Sequence, residues 1–190
     1  MKAYVMLAEG FEEIEALTVV DVLRRAQVET ITVAVGSLPR LSGSAPLVTG
    51  SHGIPVVADR RLEGLSLGTE DLVVLPGGMP GTRHLQEDES LARLLSTHRA
   101  ADGWLGAICA APSVPGRLGL LDGRRATCFP GFEKNLTGAV LSTEPVVRDG
   151  RIVTSRGAGT ALLFALALVA ALKGQESSDH LAESMQVPKG

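Results

Sequence analysis

Short apolar runs alternate with amphipathic segments along most of the chain, a pattern typical of α/β proteins. The run Lys2 to Ala8 predicts a buried strand, and Phe11 to Arg25, with apolar residues every three positions, predicts a helix. Glu29 to Val35 is β-branched and alternating, which predicts a second strand. Strand, helix and strand in this order predict a parallel sheet at the start of the chain.

The rest of the chain continues this pattern. The segment Gly36 to Gly53 is rich in glycine, serine, proline and leucine and has no helical period. Short strands around Leu47-Val48, within this segment, and at Ile54 to Val57, just after it, are expected to form a hairpin. The other predicted elements are a central strand at Asp71 to Leu75, a helix at Asp88 to Ala101, a strand ending at Trp104-Leu105, a strand at Arg125 to Phe129, a hairpin of Val146-Val147 and Arg151 to Thr154 around Asp149-Gly150, an apolar helix from Gly159 to Leu172 that Lys173-Gly174 stops, and a short surface or interface helix at Glu176 to Met185.

Composition narrows the class of protein. A chain of 190 residues with 45% hydrophobic and 21% charged residues is expected to form a single domain, residues 1–190. The formal net charge of -3 and the lack of a basic cluster argue against nucleic acid as the main partner. The most apolar run, Ala158 to Leu172, is short for a membrane span, and the N-terminus does not follow the order of a signal peptide. We therefore expect a cytoplasmic protein without a membrane partner.

Cysteine and histidine, the residues that most often bind zinc, are few in this sequence. There are two cysteines, Cys109 and Cys128, which predicts neither a disulfide framework nor a cysteine-based metal cluster. The histidines are scattered without the spacing of zinc ligands, so no metal is expected. They are His52, His84, His98 and His180.

Cys109 occupies the most informative position in the sequence. It follows the strand ending at Trp104-Leu105 and precedes a helix start at Pro112, with the small residues Ala107 and Ala111 on either side. This pattern predicts a sharp strand-to-helix turn that exposes a nucleophile. Helix N-terminal amides aimed at the sulfur would favour the thiolate, so we expect the Cys109 pKa to lie below the usual value of about 8.5. The alternative is that Cys109 is simply a small buried residue at a tight turn.

Three glutamates begin the first predicted helix. Glu12, Glu13 and Glu15 all fall in its first turn, where carboxylates suit the helix dipole. One hypothesis is that Glu15 points inward as a catalytic acid. The other is that all three are solvated charges.

Two glycine-rich turns follow predicted strands. Gly77 and Gly78 end the central strand, where backbone N–H groups can approach a ligand closely, although a plain tight turn has the same pattern. No Gly-Lys-Ser/Thr follows, so this is not a phosphate-binding loop. Gly157 to Gly159 opens the apolar helix and could hold an anion, but a lone G-x-G is a weak signal.

These pieces together resemble one known family. The matching segments are Leu7 to Glu15, Val20 to Arg25, Val73 to Gly78, Ala107 to Pro112 and Thr154 to Thr160. In this order, across nearly the whole chain, they resemble the ThiJ/PfpI superfamily, in the branch that holds the Parkinsonism-associated protein deglycase and the YajL-like proteins. The resemblance implies a flavodoxin-like three-layer α/β sandwich with a mostly parallel central sheet, assembled as a homodimer.

The resemblance also implies roles for individual residues. By position, Cys109 is the nucleophile, Glu15 is a protonated acid hydrogen-bonded to its sulfur, and the backbone N–H groups of Gly78 and Ala110 form an oxyanion site. The same comparison places four further residues along the lining of the site: Gly77, Phe129, Arg156 and Ala158.

Two positions depart from the pattern of the superfamily. Phe129 stands where some members have a histidine before the proline, so a Cys-His-Asp triad is not expected, and YajL-like members also have phenylalanine there. Ala158 stands where many members have proline, in the loop that the partner subunit presents near the site. The downstream His-x-Glu of glutamine amidotransferases is absent.

The resemblance therefore implies a cofactor-independent enzyme. Its substrates would be glyoxal, methylglyoxal or their early glycation adducts on protein or nucleotide groups, with a role in carbonyl and oxidative stress defence. The alternative is a redox sensor or redox-controlled chaperone that uses oxidation of Cys109. A peptidase is disfavoured because no histidine base is in place.

Overall fold

The computed structural model describes residues 1–36 and 45–188. The residues 37–44 of the glycine-rich and serine-rich segment lie outside this description. The chain opens with β1 (Lys2–Ala8), α1 (Glu13–Arg25) and β2 (Glu29–Val35), and β1 and β2 pair in parallel. Both predicted strands are confirmed, while the helix begins two residues later than Phe11 because Glu12 caps it.

The remaining strands and helices follow in chain order. They are β3 (Leu47–Thr49), β4 (Pro55–Val57), β5 (Arg60–Arg61), β6 (Leu72–Leu75), α2 (Gly81–Glu87), α3 (Glu89–Ala100), β7 (Trp104–Ile108), α4 (Ser113–Arg117), β8 (Arg125–Ala126), β9 (Val140–Leu141), β10 (Val146–Asp149), β11 (Ile152–Ser155), α5 (Ala161–Lys173) and α6 (Gln175–Ser184), with short 3-10 turns at Glu133–Asn135 and Ala158–Thr160.

Among the described residues, seven strands form the central sheet, in the order β10-β11-β7-β6-β1-β2-β5. Every neighbouring pair is parallel except β10 with β11 at one edge. The predicted strand at 71–75 is the central one of the seven, and the predicted hairpin of β3 with β4 is antiparallel and separate from this sheet. The mostly parallel, flavodoxin-like sheet that the resemblance implies is confirmed.

Both faces of the sheet are covered by helices, which is why its strands are almost wholly apolar. Val5 and Leu7 of β1 belong to one buried cluster with α1 and α5. Tyr4 and Met6, on the opposite face of the same strand, belong to a second cluster with α3 and α4. The three predicted layers are therefore helix, sheet and helix.

Four local features differ from the prediction. The strand expected to end at Trp104-Leu105 instead begins at Trp104 and ends at Ile108. The helix α2 was missed because its seven residues contain one buried apolar side chain, Leu85, which is too little to show a period. The predicted strand at 125–129 ends at Ala126, so Cys128 is not in a strand. The turn between β10 and β11 is one residue later than expected, because Asp149 pairs with Ile152.

The apolar helix α5 is covered almost completely within the chain itself. It packs on the sheet and contacts both α1 and α6, and Leu163 is its one exposed large apolar side chain, at 49%. Its composition is therefore explained by burial in the core and needs no interface. Considering only the residues with assigned structure, no helix combines the length and apolar character that crossing a bilayer requires.

Three neighbouring strands end at the same edge of the sheet. Gly10 to Glu12 follow β1, Pro76 to Gly78 follow β6, and Cys109 follows β7. Because β1, β6 and β7 are adjacent and parallel, these three segments meet.

Candidate active site

Cys109 forms the strand-to-helix turn that the sequence predicts. Its φ of 65° lies in the left-handed region, which is uncommon for a residue with a side chain. The backbone is held on both sides, since its N–H donates to the Ser155 carbonyl at 2.9 Å and its carbonyl accepts from the Phe129 N–H at 2.8 Å. These bonds fix a strained turn that leaves the thiol half-buried.

Glu15 lies against this thiol and is 1% exposed. Its Oε2 accepts a hydrogen bond from the Gly77 N–H at 2.8 Å. Burial raises the pKa of Glu15 to about 7, even though the hydrogen bonds from Gly77 and Cys109 lower it. Within the described part of the chain Oε1 has no hydrogen-bond partner, so it is the oxygen free to carry a proton. The hypothesis of a solvated Glu15 is therefore wrong.

Gly77 has no side chain because the pair leaves no room for one. A Cβ at this position would lie 2.7 Å from both the Cys109 Cβ and the Glu15 Oε2. Gly77 thus lies directly between the Cys109 thiol and the Glu15 carboxyl.

The Cys109 thiol does not have the depressed pKa that the sequence predicts. Burial, followed by the charge of the Glu15 carboxylate, raises its pKa to about 12, while hydrogen bonds from the Ala110 and Gly78 amides lower it. The expected help from a helix N-terminus is small because α4 begins only at Ser113 and has five residues. The prediction of a low thiol pKa is wrong as long as Glu15 is ionised.

Cys109 and Glu15 therefore titrate as one unit. The first proton leaves the pair near the Glu15 pKa of about 7. Moving the remaining proton from sulfur to carboxylate yields a thiolate beside a neutral acid, and in that state the Glu15 charge no longer raises the pKa of the thiol. The arrangement can supply a nucleophile and a proton donor together.

The amides of Gly78 and Ala110 both reach the Cys109 sulfur. Gly78 has a φ of 89°, and a Cβ there would lie 2.4 Å from the Glu12 amide nitrogen, so this position needs glycine. Two amides beside a thiol could also stabilise negative charge on an oxygen attached through that sulfur.

The other predicted lining residues lie further out. The Phe129 backbone touches Cys109, while its ring is 46% exposed and meets Phe132 at 6.5 Å between centroids. Arg156 lines a cavity of about 210 Å³ next to Cys128 and donates to the Thr143 carbonyl at 3.2 Å. Ala158 is half-buried in the turn before α5. None of the contacts found for Arg156 or Ala158 among the described residues reaches the Cys109 sulfur.

Cys128 differs from Cys109 in burial and partners. It is 3% exposed, and burial raises the pKa of its thiol to about 11, with Glu133 raising it further and Arg156 lowering it. Both cysteines are free thiols.

A charged cluster beside the site was not predicted. Glu13, expected to be solvated, is 5% exposed, and its carboxylate accepts hydrogen bonds from the Ser51 hydroxyl, from the backbone N–H and ring Nδ1 of His52, and from the Ile54 N–H. Burial raises the pKa of Glu13, but hydrogen bonds from the His52 ring, and then from the backbone amides of Glu13, His52 and Ile54, lower it to about 2. No sequence signal could reveal this, because Glu13 and His52 are 39 residues apart.

Glu12, Glu13 and His52 are also the group within the described residues whose donor atoms could hold a metal ion. One donor atom from each lies within 4.8 Å of the others. The Glu13 oxygens are already taken by four hydrogen bonds, and His52 Nδ1 bonds Glu13 at 2.9 Å. This bonding describes an ion-pair cluster, and we do not assign the three residues as metal ligands.

Comparisons with known proteins identify the family and the fold. A model of the DJ-1/PfpI family matches residues 1–171. Protein DJ-1 homolog B of Arabidopsis thaliana is 36% identical over 184 residues, which make up 96% of this chain and 40% of that protein. The glutathione-independent glyoxalase DJR-1.2 of Caenorhabditis elegans is 32% identical over 183 residues, 95% of this chain and 93% of that protein.

A solved structure shows the same fold. The crystal structure of a cysteine mutant of the DJ-1 superfamily protein STM1931 from Salmonella typhimurium superposes with a TM-score of 0.89 at 34% identity, covering 99% of both chains. The chain thus spans about two fifths of the Arabidopsis protein and almost all of the other two.

Proposed function

The chain belongs to the DJ-1/PfpI family, and on that premise we propose that it is a cofactor-independent glyoxalase that converts glyoxal or methylglyoxal into the corresponding hydroxy acid. The observation that carries the proposal is the buried Glu15 carboxyl held against the Cys109 sulfur, with the Gly78 and Ala110 amides at the same atom. Early glycation adducts, in which the same dicarbonyl has added to a protein or nucleotide group, are proposed as further substrates. Such activity would serve carbonyl and oxidative stress defence.

The first step is addition of the Cys109 thiolate to the aldehyde carbon of methylglyoxal. The new C–S bond pushes the carbonyl electron pair onto oxygen, where the Gly78 and Ala110 N–H groups donate hydrogen bonds. Glu15, neutral when the sulfur is a thiolate, gives its proton to that oxygen. The product of this step is a hemithioacetal next to an ionised Glu15.

The second step moves a proton between the two carbons. The Glu15 carboxylate removes the proton from the carbon that carries sulfur, and an enediol forms. A proton then adds to the neighbouring carbon, which does not carry sulfur, and the hydroxyl on the sulfur-bearing carbon loses its proton. The sulfur-bearing carbon becomes a thioester, and its neighbour becomes an alcohol carbon. One carbon is oxidised and the other reduced, so no external oxidant is needed. Water then breaks the C–S bond, releases the hydroxy acid and restores the thiol.

We also propose that the chain forms a homodimer. The start of α1 and the turn of the β3–β4 hairpin lie side by side, and each exposes a large apolar residue, Ile14 at 56% and Ile54 at 51%. Exposed apolar residues grouped in this way are typical of a contact between subunits. Light scattering should therefore show a dimer at micromolar concentration, and Ile54→Asp should shift it toward monomer. A wild-type monomer would contradict this proposal.

The direct test of function is methylglyoxal turnover by wild type, Cys109→Ser and Cys128→Ser. We expect turnover in the wild type and in Cys128→Ser, and at least a 100-fold loss in Cys109→Ser because the covalent step is gone. Intact mass after peroxide belongs to the same experiment. Negligible wild-type turnover together with clean addition of two oxygens at Cys109 would favour the redox-sensor alternative.

Reactivity of the two thiols can be compared in the same protein. We expect limiting iodoacetamide to label Cys109 first, because Cys109 is half-buried and can pass its proton to Glu15, whereas Cys128 is buried without such a partner. Peptide mapping measures the ratio. Preferential labelling of Cys128 would remove Cys109 as the nucleophile.

A further inference from the structure

Next to the catalytic pair, the His52 ring contacts the carboxylates of Glu12 and Glu13 at the start of α1. The His52 Nδ1 lies 2.9 Å from the Glu13 Oε2 and 3.8 Å from the Glu12 Oε1. The Glu12 and Glu13 side chains are 12% and 6% exposed, while that of His52 is 70% exposed. The mechanism proposed above uses none of these three side chains.

Glu12 connects this cluster to the catalytic acid. Its Oε2 accepts the backbone N–H of Glu15 at 2.8 Å, so its carboxylate lies directly at the residue whose protonation matters. After burial and the hydrogen bonds from Gly77 and Cys109, the charge of Glu12 is the remaining influence on Glu15, and it raises the Glu15 pKa. Any cation that offsets Glu12 therefore favours ionisation of Glu15.

His52 is placed to be that cation. Its hydrogen bond to Glu13, and then the charges of Glu13 and Glu12, raise its pKa above the ordinary value for histidine, so it stays charged to higher pH. The charged and titratable groups that face it are Glu13 and Glu12 of the α1 start, and those that face Glu15 are Cys109 of the elbow and Glu12.

We propose that His52 is a positioning residue for the catalytic acid: its imidazolium lies at the paired carboxylates of Glu12 and Glu13 and offsets the Glu12 charge that acts on Glu15. Without that cation, the uncompensated Glu12 carboxylate opposes a further negative charge in the Cys109 and Glu15 pair more strongly. The pair then loses its first proton at higher pH. A reaction that needs the ionised pair therefore loses activity at the low-pH end of its pH profile first. The consequence for turnover rests on the proposed function, whereas the ionisation of the pair does not.

The test is the pH dependence of Cys109 alkylation by iodoacetamide, measured in a Cys128→Ser background that leaves one thiol. His52→Asn keeps a polar side chain without the charge, and His52→Lys keeps a charge without the ring. We expect the midpoint of His52→Asn to rise by about 0.5 pH unit, the size of effect of one nearby charge in a partly solvated setting. His52→Lys should stay close to the parent, as should His180→Asn, a control at an exposed position on α6.

Each outcome decides the proposal. An unchanged midpoint in His52→Asn overturns it, and equal shifts in the Asn and Lys variants assign His52 a structural role only. Methylglyoxal turnover measured over the same pH range should show the same shift of its acid limb. A parent protein without turnover would refute the proposed function, while the alkylation midpoints would still confirm or overturn the role of His52.

Discussion

Glu13 and Glu15 are both buried at the start of α1, yet their pKa values are about 2 and about 7. The Glu13 carboxylate accepts four hydrogen bonds from the turn at 51–54, one of them from the His52 ring. Glu15 has one backbone donor, Gly77, and a thiol. Glu15 is the more deeply enclosed of the two, and burial is the largest cause of its raised pKa, whereas at Glu13 the hydrogen bonds together outweigh burial. Depth of burial and the supply of donors therefore decide together which carboxyl stays charged.

The two environments follow from helix geometry. Residues two positions apart on an α-helix point about 200° away from each other. Glu13 therefore faces the β3–β4 hairpin, and Glu15 faces the elbow that carries Cys109. One side of the helix start is a charged structural clamp, and the other is a neutral acid available for chemistry.

Replacing each carboxyl in turn should give the largest difference between the roles of Glu13 and Glu15. Glu15→Gln keeps the shape of the side chain but cannot transfer a proton, so we expect methylglyoxal turnover to fall by about 100-fold or more. The pKa of the Cys109 thiol should fall below its value beside an ionised Glu15, but burial still holds it above the ordinary value. Glu12→Gln and Glu13→Gln are the matched controls and should retain most of the turnover. Equal activity in all three variants would remove Glu15 from the mechanism.

The two carboxyls should also respond to pH with opposite signs. The folded-state pKa of Glu15 is raised from 4.5 to about 7, so its contribution to stability is present below pH 4.5 and lost as the pH rises through 7. Between pH 5 and 8 the wild type should therefore lose about 2 kcal/mol of unfolding free energy relative to Glu15→Gln.

Glu13 should show the reverse behaviour. Its pKa is lowered from 4.5 to about 2, so its contribution is present above pH 4.5 and lost as the pH falls toward 2. Glu13→Gln should be less stable than the wild type at neutral pH and approach it in acid. Urea denaturation over the pH range measures both slopes, and slopes of equal sign would contradict the division.

A smaller effect is expected from filling the space beside the neutral acid. Gly77→Ala places a Cβ 2.7 Å from both members of the pair, so we expect a loss of about 1 to 2 kcal/mol of stability from overpacking. Separation of Glu15 from Cys109 should lower turnover as well. Gly159→Ala is the control, because a Cβ there has open space and its φ is not positive. Chemical denaturation of both variants checks the difference, and equal stabilities would contradict the clash.

Much of the fold could be predicted from local pattern. Lys2–Ala8 and Glu29–Val35 are correct to the residue because each is a mostly apolar or β-branched run that starts at a charged residue and ends before Glu9 or Gly36. The helix Gly81–Glu87 was missed because Leu85 is its single deeply buried apolar residue. A seven-residue helix of that composition is defined by its neighbours rather than by its own period.

The site was less predictable than the fold. The turn at Cys109 follows from the small residues around it, but only the family resemblance separated Glu15 from Glu13. The prediction of a low Cys109 thiol pKa is wrong because that pKa depends on burial and on a carboxylate from a distant part of the chain. The bond between Glu13 and His52 joins segments 39 residues apart, and no single sequence carries information on such a pairing.

The position of α6 on α5 makes the lifetime of the chain depend on a region remote from its chemistry. Ser178 of α6 is buried and donates to the Leu166 carbonyl at 3.0 Å, and Leu181 and Ala182 pack against the apolar core. Gly174 is the exposed junction between the two helices. Proteolytic cleavage there would let α6 dissociate and expose the apolar surface of α5 that it covers. We expect the cleaved protein to aggregate through this exposed apolar surface while Cys109 and Glu15 are still intact.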